Sequence, residues 1–488
     1  MRLKQLIETL DIKSKLEPKV KDLSILGLAD NSADVLKGYL FVAIEGFDAD
    51  GHNYITHAIE NGACAIIGEK NIDSLPIPYI QVTNSRKALG IIANIFYGNL
   101  SDHKVMIGIT GTNGKTTTSQ MIKHILEANG HSCSLIGTIH NVINGQVYQS
   151  NNTTPGTLAL HKLLSESKDN VFIIEVSSHG LAQHRIEGIK FDFCLFTNLE
   201  HEHLDFHKTM DAYFQAKLLL FDHLKGSGQA IVNRDNVWGE KLINILDERE
   251  IIVHSIGHSD KNTLQITDLL IEKSIIKFTE IKNNSWISSP IMGVHNMYNS
   301  VMSYSLAKLL GIEESNIVNS LKGFQGVKGR FQIISLRNGA KVVVDYAHTA
   351  EAISHCLTTA QKSGANKVTQ IFGFRGNRDK SKREGMIFVA KELSDRFVLT
   401  MDDLNSVPED EMIESLNKIN SHYGNNQGIV IPDRTNAIKW AIENSSYNDW
   451  IIITGKGHEN YKQKFHLPTK SDEETVLYIE NNLFSNLF

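Results

Sequence analysis

At residues 105–117 the chain reads VMIGITGTNGKTT, an apolar run that ends in two glycines, a lysine and two threonines. A helical pattern follows and stops at Asn129-Gly130. No other stretch constrains the fold as strongly. The glycines let the backbone turn tightly so that its amides converge, the lysine adds a cation, and the helix that starts there adds the positive end of its dipole. An apolar strand, a glycine loop and a helix in that order bind nucleotide phosphates. Gly111, Thr112, Asn113, Gly114, Lys115, Thr116 and Thr117 are therefore predicted to hold ATP, with the Thr116 hydroxyl on a magnesium ion. The loop leaves open which group receives the phosphoryl.

A chain of 488 residues has room for about three domains. Residues 1–98 alternate short apolar runs with helical stretches and predict a small α/β domain that closes at the turn-rich Gly98-Asn99-Leu100-Ser101-Asp102. Residues 99–330 carry the loop among strands such as VFIIEVSS and FDFCLFTNL, separated by helical patterns as a parallel sheet requires. Residues 331–488 restart the alternation with KVVVDYAHT, KVTQIFGF, RFVLTMDD and DWIIITGKG, the pattern of a Rossmann-like doubly wound sheet, whose ligands bind at the carboxyl ends of strands. The fold class is thus α/β in three domains.

Hydrophobic residues at 41% and charged residues at 21% are ordinary for a soluble globular protein, and no run of apolar residues is long enough to span a membrane. A cytoplasmic protein is expected. A net charge of -6 gives no electrostatic case for nucleic acid. Cys64, Cys133, Cys194 and Cys356 are far apart and form no CxxC pair, so they are expected to be reduced, structural thiols.

The step from Gly111 to Gly114 is shorter than the GxxxxGK spacing of common kinases and GTPases and resembles the Mur ligases. Further motifs stand in order: TTP at 153–155, EVSSHGLAQHR at 175–185, TNLEHEHLDFH at 197–207, YFQAK at 213–217, GVHNMYN at 293–299, GR at 329–330, VVVDYAHT at 342–349, NRDKSKR at 377–383 and GKGHE at 455–459. All look like the MurE-type branch, the tripeptide synthetases of peptidoglycan precursor assembly. GKGHE and EVSSHGLAQHR point to this branch in particular, and the resemblance covers essentially the whole chain.

The resemblance implies an ATP-dependent amide ligase. It would activate the carboxylate of UDP-N-acetylmuramoyl-L-alanyl-D-glutamate as an acyl phosphate and add a diamino acid, meso-diaminopimelate or L-lysine. It implies a UDP-binding N-terminal domain, where Ser32 belongs to the nucleotide-sugar site. Thr153, Thr154, Ser178, Gln183 and Arg185 would hold the muramoyl dipeptide, and Asn296, Asn299, Arg330, Asp345 and His348 would join the loop around ATP. Glu175, at the end of an apolar strand, is a magnesium candidate from its position alone, because an acid there is natural in a site and costly in a core. By resemblance His203 holds a second magnesium and Lys217, by position an ordinary helix lysine, is carbamylated by CO2 into a further magnesium ligand. Lys115, Lys217, His203 and Glu175 are thus the implied catalytic set. His201, His203 and His207 form only a weak zinc pattern.

For the incoming amino acid, Arg378 suits an α-carboxylate, and Glu459 with the Gly455 carbonyl suits an ammonium. The stretch that matches the family's selectivity motif, normally DNPR or DDPR, is Asp402-Asp403-Leu404-Asn405. Its arginine is missing, and by charge the extra acid Asp403 favours a cation, which shifts the expectation toward L-lysine. The family's DSR is Asp30-Asn31-Ser32, its GGDRD is Arg375-Gly376-Asn377-Arg378-Asp379, the acid before His203 is Glu202, and the acid after GRF is Gln332. These departures admit an alternative, a relative that joins an amino acid to a different carboxylate in secondary metabolism. The expected partners are small-molecule substrates only, with no nucleic acid, no membrane and a monomeric state.

Overall fold

The computed structural model describes residues 1–485 apart from 14–16, 47–48, 73, 271–274, 281–282 and 290. Three sheets organise the α/β chain, and it divides into two compact units. The first unit comprises Met1–Thr110, Gly130–Leu195 and Gln215–Ala230; the second comprises Gly111–Asn129, Phe196–Phe214 and Ile231–Phe488.

In the first unit, a four-stranded parallel sheet is ordered Gly27–Ala29, Tyr39–Val42, Ala63–Gly68, Tyr79–Gln81. Period-two alternation decides what each face buries. Leu40, Val42, Ala65 and Ile67 pack against Leu89 and Ile92 of the helix Ser85–Tyr97, whereas Phe41, Ala43 and Ile66 meet Ile55 and Ala58 on the other side. Each large apolar side chain so buried contributes about 1.5–3 kcal/mol. Asn84 caps that helix by accepting from the Lys87 amide at 2.9 Å, and it ends at Gly98.

The same unit holds the strands Phe191–Phe196, Val105–Thr110, Val171–Glu175, Cys133–Ile136, His140–Ile143 and Gln146–Gln149, in that spatial order. Val105–Thr110 and Cys133–Ile136 both run parallel to Val171–Glu175, and these strands are apolar because both their faces are covered. The edge is an antiparallel hairpin closed by Asn144-Gly145, a favoured two-residue turn.

In the second unit, Ile252–Gly257 runs parallel to Leu264–Leu270, and Ile275–Glu280 and Asn283–Ser288 add antiparallel strands. The helix Val294–Leu309 packs on the loop helix Lys115–Ala128, where Ser300 donates to the Met121 sulfur at 3.6 Å. The third sheet is ordered Gln332–Ser335, Lys341–Asp345, Trp450–Thr454, Val368–Phe374, Arg396–Met401, Gly428–Val430, antiparallel only at its first strand. The last-formed strand, Trp450–Thr454, lies between the first two parallel strands in sequence, which creates a reversal of strand order and a crevice at the carboxyl ends. None of the four cysteines forms a disulfide, and burial pushes the Cys194 and Cys356 thiols well up, which suits inert structural positions. Among the described residues no helix is long and apolar enough to cross a membrane.

Candidate functional site

Gly114 is the N-cap of the helix Lys115–Ala128 at φ 88°, a left-handed conformation that glycine adopts without strain. A Cβ at Gly114 would also lie 2.5 Å from Asn299 Oδ1, so the position requires glycine twice over. The loop is held from below by neutral hydrogen bonds. The Thr112 and Asn113 amides donate to the Asn198 carbonyl and to Asn198 Oδ1, both at 2.9 Å, and Thr197 Oγ1 donates to the Asn113 carbonyl at 2.6 Å. Lys115 Nζ donates to the Gly111 and Thr112 carbonyls at 2.8 and 2.9 Å, while Thr116 and Thr117 are buried in the first turn.

Glu200 was not singled out in the sequence. Its amide donates to Thr112 Oγ1 at 2.9 Å and its carboxylate accepts from Asn113 Nδ2 at 2.8 Å. Burial, with Glu351 and Glu202 nearby, pushes this carboxyl up to about 7 against the Asn113 bond. A carboxyl that titrates near neutrality beside a phosphate-binding loop marks a functional position.

The helix Val294–Leu309 brings both predicted asparagines to the loop helix. Asn299 Oδ1 accepts from Thr118 Oγ1 at 3.2 Å, Asn299 Nδ2 donates to Asn296 Oδ1 at 3.3 Å, and Asn296 Nδ2 donates to the Met292 carbonyl at 2.8 Å. Arg330 stacks its guanidinium 4.3 Å from the Tyr346 ring centroid. Asp345 accepts from the Phe331 and Ala347 amides, each at 2.6 Å, and burial raises its carboxyl despite Arg330. His348 Nε2 meets Glu202. Burial alone would raise the Glu202 carboxyl, but His348 and His203 hold it well below the carboxylate range.

His203 sits at φ 57° before the short helix Leu204–His207, with its ring edge-on to Tyr213 at 6.0 Å. His207 instead stacks on Tyr213 at 5.0 Å, and His201 is exposed. Among the described residues no group of three or more His, Cys, Asp or Glu is arranged to hold a metal, so the zinc pattern has no structural counterpart.

In the first unit, Glu175 ends its strand completely buried, and its Oε2 accepts from Thr138 Oγ1 at 2.7 Å. Gly137 leaves room for it, since a Cβ there would lie 2.2 Å from Glu175 Oε1. Thr138 and Thr153 share a hydrogen bond at 3.1 Å, and Thr154 Oγ1 donates to the Glu175 carbonyl at 2.9 Å. Arg185 donates to the Thr154 carbonyl at 2.7 Å and grips Gln183 Oε1 through Nη2 at 2.9 Å. Ser178 is buried at the start of the helix Ser178–Ala182, which Ser177 caps. Thr153, Thr154, Gln183, Arg185 and Glu175 are thus one hydrogen-bonded group. Lys217 is 1% exposed, an uncommon depth for lysine. Ser32 lies elsewhere in this unit, buried, with its hydroxyl 2.9 Å from His57 Nδ1.

At the carboxyl ends of the third sheet stands an ionic cluster that the sequence did not disclose. Lys456, fully buried, donates to Asp403 Oδ1 at 2.6 Å and lies 3.7 Å from Asp402; Lys462 reaches the other Asp403 oxygen at 3.2 Å. The expectation that Asp403 awaits a substrate cation is corrected by this: its charge is already matched by lysines of the chain. Arg375 donates to the Gly455 carbonyl at 3.0 Å and to the Glu459 carboxylate, the acceptors expected to receive an ammonium. Burial would raise the Asp402 carboxyl, but Arg375, Arg434 and Lys456 hold it below the usual range. Asn405 donates to the Gly376 carbonyl at 3.0 Å and so braces the loop. Arg378 is exposed and lines a cavity of about 160 Å³ together with Arg375, Lys382, Asp402, His348 and Tyr346.

Three family descriptions match the chain in order: Mur ligase family, catalytic domain, over residues 24–97; Mur ligase middle domain over 109–307; and Mur ligase, glutamate ligase domain, over 329–457. The UDP-N-acetylmuramoyl-L-alanyl-D-glutamate--2,6-diaminopimelate ligase of Clostridium botulinum is 36% identical over 464 residues, covering 92% of this chain and 93% of that protein. The ligase of the same description from Aquifex aeolicus is 37% identical over 445 residues, covering 90% of each. A solved structure of a ligase so described shares the fold at a TM-score of 0.71 and 24% identity, covering 100% of this chain and 99% of that one.

Proposed function

The chain belongs to the Mur ligase family, and from that premise we propose that it is the ATP-dependent, ADP-forming ligase that joins 2,6-diaminopimelate to UDP-N-acetylmuramoyl-L-alanyl-D-glutamate in peptidoglycan precursor synthesis. The observation that carries this reading is the glycine loop and its lysine, in the geometry that phosphates require, on a chain 36% identical to such a ligase over 464 residues.

An amine does not displace oxide from a carboxylate, so the carboxylate must first be given a leaving group. Its oxygen attacks the γ-phosphorus of ATP, ADP departs, and the amine then expels phosphate from the acyl phosphate. Phosphoryl transfer is chiefly a matter of position and charge. Gly111, Thr112, Asn113 and Gly114 would present amides to the phosphates, Lys115 would exchange its two loop carbonyls for phosphate oxygens, and Thr117 would support the first turn. Asn296 and Asn299 would meet the adenine, and Arg330, Asp345 and His348 the ribose and phosphates. Thr153, Thr154, Ser178, Gln183 and Arg185 would orient the dipeptide, and Ser32 its uridine end. Arg378 would receive the α-carboxylate of the amino acid in the cavity beside Asp402 and Arg375.

Bound magnesium supplies charge neutralisation and a template for the phosphates. The donors fit a hard cation: the Glu175 carboxylate in its glycine-lined niche and the Thr116 hydroxyl, with few protein ligands overall, as magnesium prefers. His203 and a carbamylated Lys217 are the further ligands of this reading, and the deep burial of Lys217 is what sets it apart from a surface lysine. The working state is a cytoplasmic monomer.

The test is ADP formation with each substrate omitted in turn, with mass spectrometry of the product. ADP formed only when ATP, magnesium, the UDP-muramoyl dipeptide and 2,6-diaminopimelate are all present, with a product one dehydration lighter than the summed acceptor and amino acid, supports the reading. ADP formation that ignores the dipeptide overturns it.

A further inference from the structure

We propose that Arg375 selects the far end of the incoming amino acid, admitting a carboxylate there and rejecting a lone ammonium; this deepens the ligase reading above and rests on it. Arg375 follows the strand Val368–Phe374 at its carboxyl end and lines the same cavity as Arg378. Its Nη2 donates to the Gly455 carbonyl at 3.0 Å and to Glu459, and its Nε stands 3.6 Å from Asp402 Oδ2. A carbonyl beside a carboxylate is what an ammonium seeks, and here both are met by a guanidinium that does not deprotonate in proteins. A ligand ending in an ammonium must displace that guanidinium and face its charge.

A carboxylate meets the opposite situation. Arg375, Arg378 and Lys382 all line the cavity, whereas its acids are matched within the chain, Glu202 by His348 and Asp402 by Arg375 and Lys456. Arg375 Nε is buried without a hydrogen-bond partner, so the guanidinium keeps a donor for a ligand oxygen. Tyr346, 5.5 Å from the guanidinium carbon, supports the plane of the fork. The chemical class admitted is therefore an amino acid with a second carboxylate at its distal end. 2,6-Diaminopimelate carries a carboxylate and an ammonium on the same distal carbon, so its far end is neutral overall and can engage the guanidinium. L-Lysine brings the ammonium alone.

The experiment is steady-state kinetics at saturating ATP and dipeptide, with 2,6-diaminopimelate and L-lysine compared on the wild type, Arg375→Ala and Arg375→Lys. The wild type is expected to favour 2,6-diaminopimelate by about 100-fold or more in kcat/KM, the scale at which a site built for a polar group rejects a ligand that lacks it. In Arg375→Ala the KM for 2,6-diaminopimelate rises about tenfold or more with kcat nearly held, and the KM for L-lysine falls as Gly455 and Glu459 become open. Arg375→Lys retains part of the preference, because it keeps the charge and loses the fork. An unchanged preference in Arg375→Ala, or an equal loss of kcat for both amino acids, overturns the proposal. Should Arg375→Ala not fold, as judged by its melting transition, Arg375→Lys decides: a preference at the wild-type level overturns the proposal and a narrowed one supports it. An active wild type without preference overturns the proposal alone, whereas a wild type inactive with every amino acid overturns the ligase reading as well.

Discussion

The nucleotide loop and the ionic cluster at the end of the third sheet solve the same problem, the fixing of polar groups, in opposite ways. The loop is anchored by neutral bonds from Asn198, Thr197 and Thr112, and its one cation, Lys115, rests on backbone carbonyls that a phosphate can replace. The cluster binds charge to charge, Lys456 to Asp403 and Arg375 to Glu459, with Arg434 paired to Asp472 in the interior. Neutral anchors leave the loop's charge available to a ligand. Buried pairs consume their charge internally, so their removal is felt first as lost stability and altered selection.

That difference sets the order of expected effects. Lys456→Met would leave Asp402 and Asp403 buried with too little positive charge, at a cost of about 3–5 kcal/mol in the unfolding of the C-terminal region, read by denaturant melts. A loss below about 1 kcal/mol would show that the cluster is not the closed ionic network described. Lys115→Ala is expected to do the reverse. It should lower kcat/KM for ATP by about 100- to 1,000-fold, the scale of a lost charge-stabilising donor, and leave the melting transition nearly unmoved. Coupled loss of stability would erase the contrast between the two regions.

A smaller effect sharpens the comparison through pH. The Glu200 carboxyl, raised to about 7 by burial and by Glu351 and Glu202, is neutral below that pH and anionic above it. An anion next to Asn113 opposes the phosphates, so nucleotide affinity should fall as pH rises through about 7, by about tenfold for a coupling near one pKa unit. Glu200→Gln keeps the acceptor for Asn113 and should flatten the profile, as followed by calorimetric titration of ADP with magnesium from pH 6.5 to 9. A wild-type profile without slope would mean that the acid does not sense the nucleotide. The least effect is expected at Asn405, whose side chain holds only the Gly376 carbonyl: Asn405→Ala should cost about 1 kcal/mol by thermal melting and change the amino-acid KM little.

What was legible in the sequence follows from the same contrast. The loop is made of consecutive residues whose strand and helix flank them directly, so Gly111 to Thr117 could be read as a phosphate cradle without tertiary knowledge. Glu175 was legible because an acid at the end of an apolar run is out of place in a core. The cluster was not. Lys456 meets Asp403 across 53 positions and Arg375 meets Gly455 across 80, and no periodicity relates residues so far apart. Asp403 consequently read as an open charge, and Arg375 as a departure without a role. Glu200 was passed over because a glutamate among histidines reads as a solvated face; only its burial beside Glu351 sets it apart. The antiparallel hairpin at 140–149 did have a local signal, Asn144-Gly145, overshadowed by the parallel pattern around it. The depth of Lys217 had none, since its helix position is that of any lysine.

The most direct test of the central claim follows an oxygen atom. The UDP-muramoyl dipeptide, labelled with oxygen-18 in the D-glutamyl carboxylate, is turned over with ATP, magnesium and 2,6-diaminopimelate, and the released phosphate is weighed. Activation as an acyl phosphate transfers one labelled oxygen to each phosphate formed. Phosphate without label, or label found in AMP, would contradict the account.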